Sequence, residues 1–112
     1  MCLPCGLGVS PGKTQGRPMT LEQYDMTKSV SVYSNGIIVL LDNLSLETVC
    51  ELILEENISG IVAAKGGICC HGAILSREAN LPCIVNVSDI NELEKYSIIQ
   101  IDGTSGDIEV PM

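Results

Sequence analysis

The segment Gly66-Gly67-Ile68-Cys69-Cys70-His71-Gly72-Ala73-Ile74-Leu75-Ser76-Arg77-Glu78 gathers the side chains of this chain best suited to chemistry, including its only histidine. A short apolar run, Ile61 to Ala64, leads into it, and an apolar pattern of helical period follows from about His71 to Ala79. His71 is therefore predicted at or near the first turn of a helix that directly follows a strand. A helix start offers unpaired N–H groups and the positive end of the helix dipole, and both favour a phosphate group. Gly66, Gly67 and Gly72 have no Cβ to keep another molecule off the backbone. A neutral imidazole at this place is a nucleophile toward phosphorus, and a phosphoryl group on it would keep its charge beside those N–H donors. Cys69 and Cys70, near the same helix start, could have lowered thiol pKa values and be reactive. By spacing alone, a lone histidine at a helix start is equally a surface or capping residue.

The other cysteines divide by context. Six Cys in 112 residues could form a secreted disulfide framework. The start Met-Cys-Leu-Pro-Cys lacks a basic segment with an apolar stretch behind it, and reduced thiols in a cytosol are expected instead. Cys50 lies in a helical apolar pattern and Cys83 in a strand pattern, and both are expected as small core side chains. Cys2-Leu3-Pro4-Cys5 has the spacing of half a zinc site that Cys69, Cys70 and His71 could extend. No second spaced pair completes it and adjacent cysteines are poor co-ligands, so no metal is expected.

Around this segment, residues 1–20 read as two short strands joined by the tight turn Ser10-Pro11-Gly12, with Pro fixing one torsion and Gly relieving the next. Ser29 to Tyr33 alternates as a strand. Asn35-Gly36 turns the chain into the continuous apolar run Ile37 to Leu41, which fits a strand covered on both faces. Leu46, Val49, Cys50, Ile53 and Leu54 then repeat at helical spacing opposite Glu47, Glu51 and Glu55, which predicts an amphipathic helix from about residue 45 to 57. Ser59-Gly60 is expected to break the chain before the strand Ile61 to Ala64. Asn80 suits the left-handed position that ends the second helix. Leu81-Pro82 opens a strand over Cys83 to Val87, and Ser88 or Asp89 can cap a short helix carrying Ile90 and Leu93. Ser97 to Ile101, the turn 102–107 and Ile108 to Val110 make a closing hairpin. The sum is one α/β domain over 1–112, with a mixed, partly parallel sheet packed against two or three short helices.

Composition bounds what such a domain can do. The chain is too short for two ordinary domains, yet 13 Ile, 12 Leu and 9 Val supply an aliphatic core without any Trp or Phe. Fourteen acidic residues against six basic ones give a net charge of −8, which repels phosphate backbones and anionic lipid. Neither nucleic acid nor a membrane is an expected partner. The longest apolar run is far below the roughly 20 residues of a spanning helix, and the chain reads as cytoplasmic.

The string from Gly66-Gly67 through Cys69-Cys70-His71, Ala73-Ile74, Arg77 and Pro82 to Ile84-Val85 resembles the GG-x-T-S-H-x-A-I-x-A-R-x-x-x-I-P-A-V signature of the phosphohistidine swivelling domain. That domain belongs to phosphoenolpyruvate-utilising enzymes, which include pyruvate phosphate dikinase, phosphoenolpyruvate synthase and the first enzyme of the sugar phosphotransferase system. Gly8-Val9-Ser10-Pro11-Gly12 with Gly16 resembles the family's S-P-G turn, and Asp102-Gly103-Thr104-Ser105-Gly106 its closing D-G-x-x-G hairpin. The resemblance implies a swivelling β/β/α fold in which His71 carries a phosphoryl group between a nucleotide-binding domain and a pyruvate/phosphoenolpyruvate-binding barrel. It implies a phosphate cradle of Gly66, Gly67, Cys69, Cys70 and Gly72, with Arg77 gripping phosphate in fork geometry or else standing solvated or paired with Glu78. Lys65 meets the incoming phosphate or ends a strand in water.

The departures are chemical. Cys69-Cys70 replaces Thr-Ser, exchanging two hydroxyls for weaker sulfur donors and removing a threonine that is a regulatory phosphorylation site in pyruvate phosphate dikinase. Gly72 replaces a usual alanine, loosening the helix start by about 1 kcal/mol. With no G-x-x-x-x-G-K-S/T motif and no room for a barrel, a chain of this kind is expected to be a stand-alone carrier. It would bind no cofactor alone. Nucleotide-binding and phosphoenolpyruvate-binding domains on other chains would hold Mg2+ with ATP or phosphoenolpyruvate. The alternative from a different class is a non-catalytic binding or regulatory module of the same fold that uses Cys69 and Cys70 for redox or metal binding.

Overall fold

The computed structural model describes residues 6–20, 36–44, 46–53, 58–66, 71–88, 90–96 and 98–110, with Leu46, His71 and Asn91 placed by their backbone. The centre of the domain follows from the apolar run at residues 37–41. All five residues of that run are buried, and they alternate between two separate cores. Ile37, Val39 and Leu41 belong to one cluster with Ile61, Ala63, Cys83 and Val85. Ile38 and Leu40 belong to the other with Val62, Ile84, Ile99, Ile101 and Ile108. Successive strand side chains point to opposite faces, so a run without polar residues needs cover on both.

That cover comes from a β/β/α arrangement. Strand β1 (Leu7–Ser10), β2 (Lys13–Thr20) and β3 (Ile37–Asn43) precede helix α1 (Leu46–Leu52). Next come β4 (Ile58–Lys65), helix α2 (His71–Glu78), β5 (Cys83–Val85), a 3-10 segment (Ile90–Lys95), β6 (Ile99–Asp102) and β7 (Asp107–Glu109). The strand order is β1-β5-β4-β3-β2-β6-β7. The pairs β2/β3, β3/β4 and β4/β5 are parallel, whereas β1/β5, β2/β6 and β6/β7 are antiparallel. Val49 and Leu52 of α1 and Ala73 of α2 fill the first cluster. The second is closed by β6 and β7 together with Ile90 and Leu93. Each large side chain fully removed from water, such as Ile61 or Ile84, contributes about 1.5–3 kcal/mol. The expected β/β/α domain with a mixed, partly parallel sheet is what the chain forms.

Strand β2 joins the two sheet halves. Its first residues, Lys13 to Gly16, pair with β6, and its last, Arg17 to Thr20, pair with β3. Although β1 and β2 are joined only by Pro11-Gly12, they do not pair, and three strands lie between them in the order. Four inter-strand steps span about 19 Å in a flat sheet, but the link from Ser10 to Lys13 reaches at most about 11 Å. The sheet must therefore coil back on itself, carrying β1 toward the β6–β7 hairpin.

Several local expectations are corrected. The described part of the first helix ends at Leu52, although Ile53 still donates its N–H to the Val49 carbonyl at 3.0 Å; residues 54–57 lie outside the described residues. Cys50 is exposed, not core, because the buried stripe of α1 runs through Val49 and Leu52 and leaves Cys50 on the polar side with Glu47 and Glu51. Cys83 is buried as expected. Ser59-Gly60 does not break the chain but lies inside β4, where Gly60 pairs with Ile38 and the Ser59 hydroxyl donates to the Ile37 carbonyl at 3.3 Å. Strand β5 stops at Val85 because Asn86 adopts φ 60°, which ends a ladder. The short helix is a 3-10 segment, whose period of three puts Ile90 and Leu93 on one buried face. The expected strand 29–33 lies outside the described residues.

Candidate functional site

Parallel strands β3, β4 and β5 all end at one edge of the sheet, and in open α/β sheets the carboxyl edge is where ligands bind. Backbone bonds hold the chain at this edge. The Leu44 N–H donates to the Lys65 carbonyl at 3.0 Å and the Val87 N–H to the Ala63 carbonyl at 3.3 Å, so the segments leaving β3 and β5 are both tied to β4. Lys65 ends β4 exposed.

Gly66 follows, half-buried. A Cβ there would come within 2.9 Å of Val85 Cγ1 and 3.3 Å of Leu44 Cβ. Its smallness thus has a reason inside the fold, since the ends of β3 and β5 close over it. Gly67, Cys69 and Cys70 of the expected cradle lie outside the described residues, as does the side chain of His71. The backbone at residue 71 opens α2, as the sequence predicts.

The rest of α2 is well defined. Gly72 and Ala73 are buried and Ile74 is exposed. The Ser76 hydroxyl, buried, donates to the Gly72 carbonyl one turn earlier at 2.8 Å. That bond satisfies a polar group that would otherwise cost about 1–3 kcal/mol to bury. Asn80 takes φ 58°, the left-handed stop expected of it, while the Leu81 N–H closes the end on the Ser76 carbonyl at 2.9 Å.

Arg77, the expected phosphate partner, makes a long-range contact with the backbone of β1. Its Nε–H donates to the Val9 carbonyl at 2.6 Å, which fastens the last turn of α2 to β1. Six residues along a helix correspond to about 9 Å of rise and roughly 120° of net rotation, so this contact is distant from the first turn where residue 71 sits. The acceptor is one that sequence reasoning missed. In β1, Gly8 pairs with Ile84 and Ser10 with Cys83, and the register shifts between them, so Val9 is the extra residue of a bulge. Nothing in the local composition marks that bulge. Ser10 beside it is fully buried, and its hydroxyl has no partner among the described residues.

Of the expected cradle, the structure therefore describes the strand end, Gly66 and the helix start, and brings Gly72 to the first turn of α2. Among the described residues no group of three or more His, Cys, Asp or Glu side chains is arranged to hold a metal, and no helix is long and apolar enough to cross a membrane.

A family model described as "PEP-utilising enzyme, mobile domain" matches residues 33–106. A probable phosphoenolpyruvate synthase of Methanothermobacter thermautotrophicus is 31% identical over 102 residues, which is 90% of this chain and 14% of that protein. The phosphoenolpyruvate synthase of Pyrococcus furiosus is 29% identical over 90% of this chain and 12% of its own length. A phosphoenolpyruvate-protein phosphotransferase of Mycoplasma capricolum is 29% identical over 82% of this chain and 15% of its own length. The chain thus spans about one seventh of the length of these three relatives. Among solved structures, the N-terminal domain of "Enzyme 1 - Nitrogen" superposes with a TM-score of 0.59 at 22% identity, covering 72% of this chain and 34% of that one. Thermococcus kodakaraensis aconitase X superposes with a TM-score of 0.64 at 16% identity, covering 97% and 98%. At such identities these structures show the shared fold alone.

Proposed function

This chain belongs to the mobile domains of phosphoenolpyruvate-utilising enzymes, and from that premise we propose that it is a phosphoryl carrier with His71 as the covalent site. The observation that carries the reading is the position of residue 71. The chain's only histidine opens α2 immediately beyond β4, within the matched segment and at the carboxyl edge of the parallel strands. There the first N–H groups of α2 are available to an anion.

The chemistry asks little of this domain. A neutral imidazole nitrogen attacks phosphorus, a P–N bond forms, and the P–O bond to enolpyruvate or to ADP breaks. Donor and acceptor are held by nucleotide-binding and phosphoenolpyruvate- or pyruvate-binding domains, with Mg2+ accompanying ATP or phosphoenolpyruvate there. In this reading those domains are on other chains, and a cytoplasmic location fits the donors. In this reading Gly66, Gly67, Cys69, Cys70 and Gly72 make up the phosphate cradle. With thiols in place of Thr-Ser, backbone N–H groups supply most of its hydrogen bonds.

The test is labelling by radioactive phosphoenolpyruvate or ATP in the presence of the cognate partner domains. The account predicts a label that is lost in acid and absent from His71→Ala. Label that persists in His71→Ala removes His71 from the role.

A further inference from the structure

We propose that Arg77 is a positioning residue for His71, acting through the Val9 carbonyl rather than through the phosphoryl group. The proposal rests on the carrier reading of His71 and deepens it. Three observations on the fold support it. The Arg77 Nε–H donates to the Val9 carbonyl at 2.6 Å across 68 residues of sequence. Val9 is the extra residue where the β1–β5 register shifts, and a bulge takes a residue out of the ladder and re-aims it. The Val9 side chain is meanwhile buried against the helix-side core, so its carbonyl cannot swing away without disturbing that packing.

The bulge and the arginine thus work as one device. α2 lies over β1 and α1, and its last turn is fastened to the edge strand by the Arg77 Nε–H bond. A helix held at its last turn has its first turn fixed in direction, and residue 71 is in that first turn. Gly72, which loosens the start of α2 (see above), makes such a restraint more valuable here. Small displacements of a reacting group cost large factors in rate.

Side-chain chemistry separates this role from direct phosphate contact. Gln carries its Nε2 donor the same number of bonds from Cα as the Nε of Arg, but without charge. Lys carries the charge but puts a methylene where Nε stands, and Met supplies the length alone. The chain is treated with phosphoramidate, whose P–N bond breaks as the imidazole P–N bond forms and ammonia leaves with the proton. The rate is followed by phosphorus NMR at equal folded fraction, and amide hydrogen exchange is followed across residues 71–78. The proposal expects Arg77→Gln to stay within about twofold of wild type, and Arg77→Lys and Arg77→Met to fall by about tenfold or more, with faster exchange in the first turn of α2. The reverse order, with Lys active and Gln impaired, assigns Arg77 to the phosphate and overturns the proposal, as do three variants indistinguishable from wild type. If wild type itself accepts no phosphoryl group, the carrier reading fails, while the exchange order alone then upholds or overturns the anchoring of α2 by Val9.

Discussion

The Gly103 N–H donates to the Gly12 carbonyl at 2.8 Å, joining two glycine-bearing motifs from opposite ends of the chain. The clasp is completed by the Gly12 N–H on Thr104 Oγ1 at 3.4 Å and by the Gly6 N–H on the Gly106 carbonyl at 3.1 Å. It is the contact that the coiling of the sheet makes possible. A Cβ on Gly103 would overlap the Ser10 carbonyl, and one on Gly8 would overlap the Gly103 carbonyl. Backbone cannot move aside as a side chain does, so Gly103→Ala is expected to cost about 3 kcal/mol or more, at or beyond the usual range for overpacking. Urea denaturation midpoints measure this, and a Gly103→Ala midpoint equal to wild type would refute the clasp.

The same turn makes the domain sensitive to acid. The Asp102 carboxylate accepts the Thr104 N–H at 2.9 Å and the Ser105 N–H at 3.4 Å. Chiefly the Thr104 bond, with the nearby Lys13 charge adding to it, holds its pKa below the ordinary carboxylate value. A carboxyl with a depressed folded pKa contributes stability that is present above its unfolded pKa of about 3.9 and is lost as pH falls through the folded value. Asp102→Asn keeps the Oδ1 acceptor and removes the charge. Its midpoint is expected to fall less than that of wild type between pH 6 and pH 3, taken as roughly two units above and one below that pKa. Parallel pH curves for the two proteins would contradict this.

The end of α2 offers a conformational test. Asn80 holds φ 58°, where non-glycine residues pay about 1–2 kcal/mol. Asn80→Gly is expected to be neutral or stabilising, and Asn80→Val to destabilise by about 1–2 kcal/mol or more. Thermal denaturation would decide, with the order Val above Gly as the contradicting result.

The two described cysteines differ in access, since Cys50 is exposed and Cys83 buried. Brief alkylation of the native protein followed by peptide mapping should modify Cys50 and spare Cys83 until the chain is unfolded. Equal labelling of both would place Cys50 in the core after all.

Much of this framework is legible in the residues. The alternation of residues 37–41 requires two faces of cover, and among the described residues the strands and helices around it follow in the order the sequence suggests. Asn80 as the stop of α2 and the helix start at His71 follow from local chemistry. What is not legible is long-range. Pro11-Gly12 reads as the turn of a hairpin, but the coiling of the sheet places β1 beside β5 instead. Cys50 looks like a core position because a helical stripe can be drawn through it, and only the direction in which α1 meets the sheet exposes it. Ser59-Gly60 reads as a breaker until β3 supplies the ladder and the Ser59 hydroxyl reaches carbonyls of β3 and β2. The bond from Arg77 to Val9 is not legible either, because the bulge that presents the Val9 carbonyl leaves no local mark.

The most direct test of a carrier is whether what it accepts it also gives away. The phosphorylated chain, freed of donor, is mixed with pyruvate, Mg2+ and the cognate phosphoenolpyruvate-binding domain, or with ADP, Mg2+ and the nucleotide-binding domain, and its intact mass is followed. The account predicts loss of one phosphoryl group from His71, matched mole for mole by newly formed phosphoenolpyruvate or ATP. A phosphoryl group that stays on the chain in both mixtures, at the same lifetime as in buffer, would contradict it.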